Sequence, residues 1–277
     1  MSDRLQFPIR SDKLSMNAHV VRRVFQERSQ FQLIEIVETE AFGKVLTLDG
    51  HIQLTSLDEF AYHEALVQIP LLNVTEPSTA LIVGGGDGGV LREIARWNSI
   101  RSVDMVEIDE KVVQACAAHW PELSEGAFDD PRVKIHYEDA FGFVKRQTQR
   151  YDLIVVDCTD VYEEEEGELS ERLFSDEFYA DCKRLLSDKG FVVTQADNLV
   201  FCPYSLQAVS EMFSRVFPAA GSYWAVVPSF GGFSGFCWGS LGVKISPAVP
   251  RELPAGVRYL NPTTYALAFS PLPFHSS

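Results

Sequence analysis

The chain reads as α/β: a small antiparallel sheet near the N-terminus, then a mostly parallel sheet with helices on both faces. Three observations predict this. Residues 31–56, FQLIEIVETEAFGKVLTLDGHIQLTS, hold short β-rich runs divided by turn residues at Gly43 and Asp49-Gly50. From Thr79 onward, apolar strands alternate with helical stretches at the spacing of βα units. One of those strands, TALIV, passes directly into GGGDGG (residues 84–89) and then into a helix.

In order, the first region predicts about three strands. The segment DEFAYHEAL has helical spacing and carries Tyr62 and His63. TALIV leads to the helix VLREIARW, and SVDMVEID to the helix EKVVQACAAHW. VKIHYED and YDLIVVDCTD are the next strands, followed by the periodic DEFYADCKRLL. GFVVTQAD precedes the helix YSLQAVSEMFSRVF. YWAVVPSF and GFSGFCWGSLG read as a late antiparallel pair at one sheet edge, and residues 244–262, with several prolines, as a wrapped tail.

Composition excludes some classes. The 277 residues are 46% hydrophobic and include 19 Phe, enough for a full core, so wholesale disorder is excluded. The net charge of −15 argues against a nucleic-acid partner, which needs a basic footprint. It suits cationic partners, or plain solubility. The first residues hold no signal-peptide core, and no apolar run reaches 18 residues, so no membrane partner is expected. Five cysteines without a CxxC pair, and six histidines without an HExxH cluster, make a cytoplasmic protein with no metal the expectation.

The glycine loop and Glu107, at the end of the next strand about twenty residues on, form a nucleotide-site layout. NAD enzymes and S-adenosylmethionine enzymes both use it. Asp87 inside the loop separates them. A pyrophosphate there would meet a negative charge where it needs bare N–H groups, and so would the carboxylate of ordinary S-adenosylmethionine. A cationic amine would be attracted. The loop thus favours an adenosyl sulfonium ending in an amine; the other reading of Asp87 is a cap on the following helix. Asp139, at the third strand end, stands where an adenine contact or a simple turn residue would. Asp157 and Asp160 end a buried strand, and Gln195 ends the next. Six glutamates follow the two aspartates, between 163 and 171: a solvated loop, or a funnel for a polycation.

Together the motifs resemble the polyamine aminopropyltransferases, among them spermidine synthase. They are LDGHIQLTSLDEFAYHE, LIVGGGDGGVLRE, VEID, FDDPRVKIHYEDAF, YDLIVVDCTD, LFSDEFY and YLNPTTYALAF, spread over roughly residues 31–274. The resemblance implies an N-terminal β domain (1–60) on a methyltransferase-like Rossmann catalytic domain (61–277), assembled as homodimer or homotetramer. It implies no permanently bound cofactor, decarboxylated S-adenosylmethionine as co-substrate, methylthioadenosine as product and a small cationic polyamine as acceptor. Gln32, Gln53, His63, Asp87, Glu107, Asp139, Ala140 and Asp157 are the implied donor set. Tyr62, Asp157, Asp160, Gln195 and Phe230 are the implied acceptor set, with Asp157 the proton acceptor and Tyr62 orienting the amine.

The pattern departs from the family in three places. A Pro-x-Gly-Pro stretch usual after the second aspartate is replaced by VYEEEEGELSER. Phe230 stands where the family has a PTY tyrosine, and no tryptophan precedes residue 97. PSF and the longer acidic stretch resemble the branch that takes spermidine. The expected activity is aminopropyl transfer to a diamine such as putrescine. The competing readings are transfer to a longer amine, a methyltransferase, and a non-catalytic member.

Overall fold

The computed structural model describes residues 3–10, 13–158 and 173–272. An antiparallel sheet comes first: β1 (Arg4–Arg10), β2 (Leu14–Arg28), β3 (Leu33–Thr39), β4 (Gly43–Leu48) and β5 (His51–Thr55), paired in chain order. The last three are the strands expected over 31–56. Asp49 and Gly50, between β4 and β5, have φ of 47° and 83°, the left-handed pair that a tight hairpin requires.

The sheet is larger than the expected three strands, because β1 and β2 precede them. β2 runs 15 residues, most of them in contact with water. Its register against β3 slips between Val20 and Arg22 and again between Arg23 and Phe25. Each slip shifts which face the side chains take, so the apolar residues lose the period of two by which a strand is recognised.

Helix α1 (Glu59–Leu72) leads into the second sheet, of strands β6 (Thr79–Gly84), β7 (Ser102–Glu107), β8 (Val133–Tyr137), β9 (Tyr151–Asp157), β10 (Leu186–Asn198), β11 (Ala219–Val227) and β12 (Gly232–Ser240). Their spatial order is β11-β12-β10-β9-β6-β7-β8. β6 to β10 are parallel, while β12 runs antiparallel to β10 and β11 and leaves β11 at the edge. Helices α2 (Gly89–Ala95), α3 (Glu110–His119), α4 (Pro121–Ser124), α5 (Ala140–Arg146), α6 (Asp176–Arg184) and α7 (Pro203–Val216) connect them, and α8 (Pro262–Leu267) closes the described chain.

Each sheet face carries its own core. Leu66, Ile69 and Leu91 of α1 and α2 pack on one; Phe143, Phe178 and Phe213 of α5, α6 and α7 pack on the other. Ile34, Ile36, Leu46 and Leu54 of the first sheet bury against Val112, Ala115, Cys116 and Trp120 at α3. The tail is held by Glu64 of α1, fully buried, whose carboxylate accepts the N–H groups of Arg258, Tyr259 and Leu260 at 2.6, 2.9 and 2.8 Å.

This topology positions the site. Chain order runs one way from β6 through β7 to β8 and the other way from β9 to β10. The carboxyl ends of β6 and β9 therefore flank the point of reversal, where an open α/β sheet has its crevice.

Candidate active site

Gly84 at the end of β6 is the register partner of Asp157 at the end of β9. A Cβ at Gly84 would lie 2.1 Å from the Asp157 carbonyl oxygen, and φ is 79°, so glycine alone permits the turn. At the loop's other end a Cβ on Gly89 would fall 2.2 Å from His63 Cε1. That glycine makes room for the imidazole arriving from α1. The loop thereby brings Asp87, His63 and Asp157 together, with side-chain ligand atoms within 4.8 Å of one another.

Asp87 Oδ1 accepts the Gly89 N–H at 2.7 Å and faces His63 Nε2 at 3.3 Å. The capping reading and the ligand reading of Asp87 are thus compatible. His63 Nδ1 lies 2.8 Å from Glu59. Burial works against charge on His63, but Asp87 and Glu59 outweigh it and raise the imidazole to about 10. Burial also works against charge on Glu59, which His63 and Arg92 nevertheless hold at about 2. Asp87 is lowered by His63 despite its burial. Asp157 goes the other way: burial and the charge of Asp87 lift it to about 6, against the pull of His63 and Tyr62. Tyr62 donates its hydroxyl to Asp157 at 2.6 Å.

With both nitrogens of His63 donating, the cluster offers an imidazolium in place of a metal-ligating lone pair.

A cavity of about 660 Å³ opens over this cluster, a size suited to a small ligand. On one side of it lie Gln32, Gln53, Glu107, Asp139 and Ala140. Burial lifts the Glu107 carboxyl to about 7, even though it accepts the Asp109 N–H at 2.9 Å. Gln32 donates to Asp109 at 3.0 Å, which ties the turn before β3 to the end of β7. Gln53 donates to the His51 carbonyl at 3.2 Å. Asp139 accepts the Phe141 N–H at 3.1 Å and caps α5, with Ala140 the first residue of that helix.

On the other side, Gln195 donates to the Cys158 carbonyl at 3.4 Å and accepts the Asp197 N–H at 2.8 Å. Phe230 stands edge-on to Tyr62, ring centroids 5.7 Å apart. Every site residue expected from the sequence lines this cavity except Asp160, which lies outside the described residues together with the acidic stretch 161–172.

The sequence reading missed several supports. Asp109 both caps α3 and holds Gln32; it is the last residue of VEID, so its signal was in view. Asp58 clamps the turn carrying Phe230, accepting from the Ser229 N–H and hydroxyl at 2.7 and 2.9 Å. Nothing local to either segment announces that contact across 171 residues. Asp197, a carboxylate lining the cavity, has φ of 61°, a strained position for a residue other than glycine and of the kind found at functional sites.

The domain family described as "Spermine/spermidine synthase domain" matches residues 59–244, and "Spermidine synthase tetramerisation domain" matches residues 8–56. The chain is 37% identical over 259 residues to the polyamine aminopropyltransferase of Escherichia coli O81 (strain ED1a), covering 89% of this chain and 87% of that protein. It is 34% identical over 258 residues to that of Alkaliphilus metalliredigens (strain QYMF), covering 91% of this chain and 89% of that protein. A spermidine synthase solved in complex with the transition state analogue AdoDATO superposes with a TM-score of 0.91 at 26% identity, covering 98% of this chain and 93% of that chain. The spermidine synthase from Thermotoga maritima superposes with a TM-score of 0.88 at 26% identity, covering 98% of this chain and 92% of that one.

Proposed function

The chain belongs to the spermine/spermidine synthase family of polyamine aminopropyltransferases, and we propose that it moves the aminopropyl group of decarboxylated S-adenosylmethionine to a diamine such as putrescine, giving spermidine and methylthioadenosine. One observation supports the reading: Asp87 and Asp157 meet across the β6–β9 crevice, in one cavity lined by Gln32, Glu107 and Asp139 on one side and by Tyr62, Gln195 and Phe230 on the other.

Glu107 and Gln32 hold the ribose region, Gln53 supports that wall, and Asp139 with Ala140 faces the adenine. Asp87, with His63 behind it, receives the amine of the aminopropyl tail. The acceptor nitrogen attacks the methylene carbon next to the sulfonium. The C–S bond breaks, and its electron pair remains on sulfur as the thioether of methylthioadenosine. The proton released from nitrogen passes to Asp157. A carboxylate at about 6 is a better match to this task than one at the ordinary value near 4. Tyr62 orients the nitrogen, and Gln195 and Asp160 hold the rest of the acceptor. Alignment of nitrogen, carbon and sulfur supplies the remaining acceleration.

Phe230 favours a second acceptor, a longer amine such as spermidine, because its ring removes a hydroxyl from the amine side. We place the contacts of a homodimer or homotetramer on the first sheet, where Val21 of β2 is 63% exposed. Among the described residues no helix is long and apolar enough to cross a membrane, and five cysteines carried as thiols support a cytoplasmic setting.

The test is incubation with decarboxylated or ordinary S-adenosylmethionine against putrescine, cadaverine, agmatine and spermidine, with mass analysis of products. Spermidine from putrescine is the expected main product. A methylated product would make the chain a methyltransferase, and no turnover despite methylthioadenosine binding would make it a non-catalytic member.

A further inference from the structure

Behind the donor loop, charges of alternating sign run away from the cavity. Asp87 meets His63, His63 meets Glu59, Glu59 meets Arg92, Arg92 meets Glu93, and Glu93 meets Arg96. The middle of the run is the best-held part. Arg92 grips both oxygens of Glu59, at 3.0 and 2.9 Å, and donates to Glu93 and to the Leu123 carbonyl, each at 2.9 Å. Glu59 and Arg92 are 7% and 5% exposed, and neither lines the cavity. A buried ion pair gains little stability over apolar residues of equal volume, because desolvation offsets its attraction. Its effect must be sought in what it touches, and that is His63.

We propose that Glu59 and Arg92 are positioning residues for aminopropyl transfer: they fix the His63 ring with Nδ1 on Glu59 and Nε2 on Asp87, so that of the Asp87–Asp157 pair it is Asp87 that His63 holds. The proposal rests on the reading above, in which Asp87 receives the aminopropyl amine.

Two carboxylates this close resist being ionised together, so their surroundings decide which one keeps its charge. His63 decides it by position, with Nε2 at 3.3 Å from Asp87. The groups facing His63 come from three elements. Glu59 and Tyr62 lie on its own helix, Asp87 on the loop after β6, and Asp157 on β9, with Arg92 of α2 acting through Glu59. Cys116 of α3, near Asp87, stays a neutral thiol because burial and the charges of Asp87 and Glu107 push it up. Glu59 is therefore the partner that binds the second nitrogen of His63 without belonging to the ligand site. Arg92 keeps that partner ionised and fixes its plane. The result is a division of roles: Asp87 a standing anion for the donor's ammonium, Asp157 a carboxylate free to titrate near 6.

The experiment follows the His63 imidazole by NMR titration in the full chain, wild type and Glu59→Gln, beside pH profiles of kcat/KM for decarboxylated S-adenosylmethionine. In the wild type the ring stays charged above pH 8. In Glu59→Gln its titration falls by at least one unit, and the alkaline limb of kcat/KM, where His63 loses its charge, moves about one unit to lower pH, a tenfold loss on that limb. Donor KM changes more than kcat, and Arg92→Lys gives a smaller change in the same direction. A merely structural role would lower thermal stability and leave the imidazole titration and the alkaline limb in place; that outcome overturns the proposal. If Glu59→Gln does not fold, the wild-type titration still decides, since a His63 that loses its charge below pH 7 overturns it. Asp87→Asn separates the two readings. Unchanged donor KM in that variant removes the amine-binding role of Asp87. Raised donor KM there, with an unmoved imidazole in Glu59→Gln, removes the positioning role alone.

Discussion

The two sides of the cavity are built differently. The side proposed for the donor is a set of loops at the ends of β6, β7 and β8, and its polar groups are held by other polar groups: His63 between Asp87 and Glu59, Gln32 on Asp109, Asp139 on the cap of α5. The side proposed for the acceptor amine, at the ends of β9 and β10 and the turn before β12, leans on rings. Tyr62 stands between Phe230 and Phe236, and Asp58 clamps the turn that carries Phe230. The difference teaches where change is tolerated. A cross-held polar group takes its neighbours with it when altered, whereas a ring on a clamped turn can be exchanged for another ring of similar volume. On the proposed reading, donor binding resists change and acceptor choice tolerates it.

Four measurements break or sharpen that contrast, from the largest expected effect to the smallest. Asp157→Asn, at the seam of the two sides, lowers kcat by about 10³-fold, within the range for a lost proton acceptor. Methylthioadenosine affinity by calorimetry changes little. A kcat left within threefold would remove Asp157 from the chemistry.

Glu107→Gln tests the donor side alone. Hydrogen bonds from ribose hydroxyls to a buried carboxylate are worth about 1.5–3 kcal/mol each, so methylthioadenosine affinity drops by about 10- to 100-fold. Acceptor KM measured at saturating donor stays near its wild-type value; an equal rise in both would erase the division.

The same residue gives a pH dependence of definite sign. Burial raises the Glu107 carboxyl to about 7, so below that pH it is mostly protonated. Ribose hydroxyls donate best to the ionised form. Methylthioadenosine binding therefore tightens as pH rises through about 7, levels off above it, and releases protons near neutrality. Calorimetry in buffers of different ionisation heat reads that release. Asp157 behaves similarly on the rate: activity climbs as pH rises through about 6, and is lost below.

Phe230→Tyr is the smallest change. One neutral hydrogen bond is worth about 0.5–1.5 kcal/mol, so kcat/KM for putrescine relative to spermidine rises by a few-fold, up to about tenfold. Product ratios in a mixture of both amines measure it. No movement would mean that the acceptor is chosen elsewhere.

Much of this site was legible in the chain because its parts are local. Strand, glycine loop and helix are consecutive, and a carboxylate at a strand end faces the crevice whatever packs around it; Asp87, Glu107, Asp139 and Asp157 follow from that rule. The resemblance supplied Gln32, Gln53 and Phe230, which no spacing argument reaches. β1 and β2 escaped because register slips spoil the alternation of a half-exposed strand. Asp197 escaped because its left-handed backbone is a property of the folded turn.

By itself, the sequence determined the order of elements, the glycine loop with Asp87 inside it and the carboxylates at the strand ends, since each depends on residues adjacent in the chain. Only the tertiary structure decided which of those carboxylates keeps its charge. That depends on α1 bringing His63 and Glu59 against the glycine loop and on Arg92 of α2 closing the pair behind them. Charge in a buried place is set by distance and desolvation together, and both come into being when the segments meet.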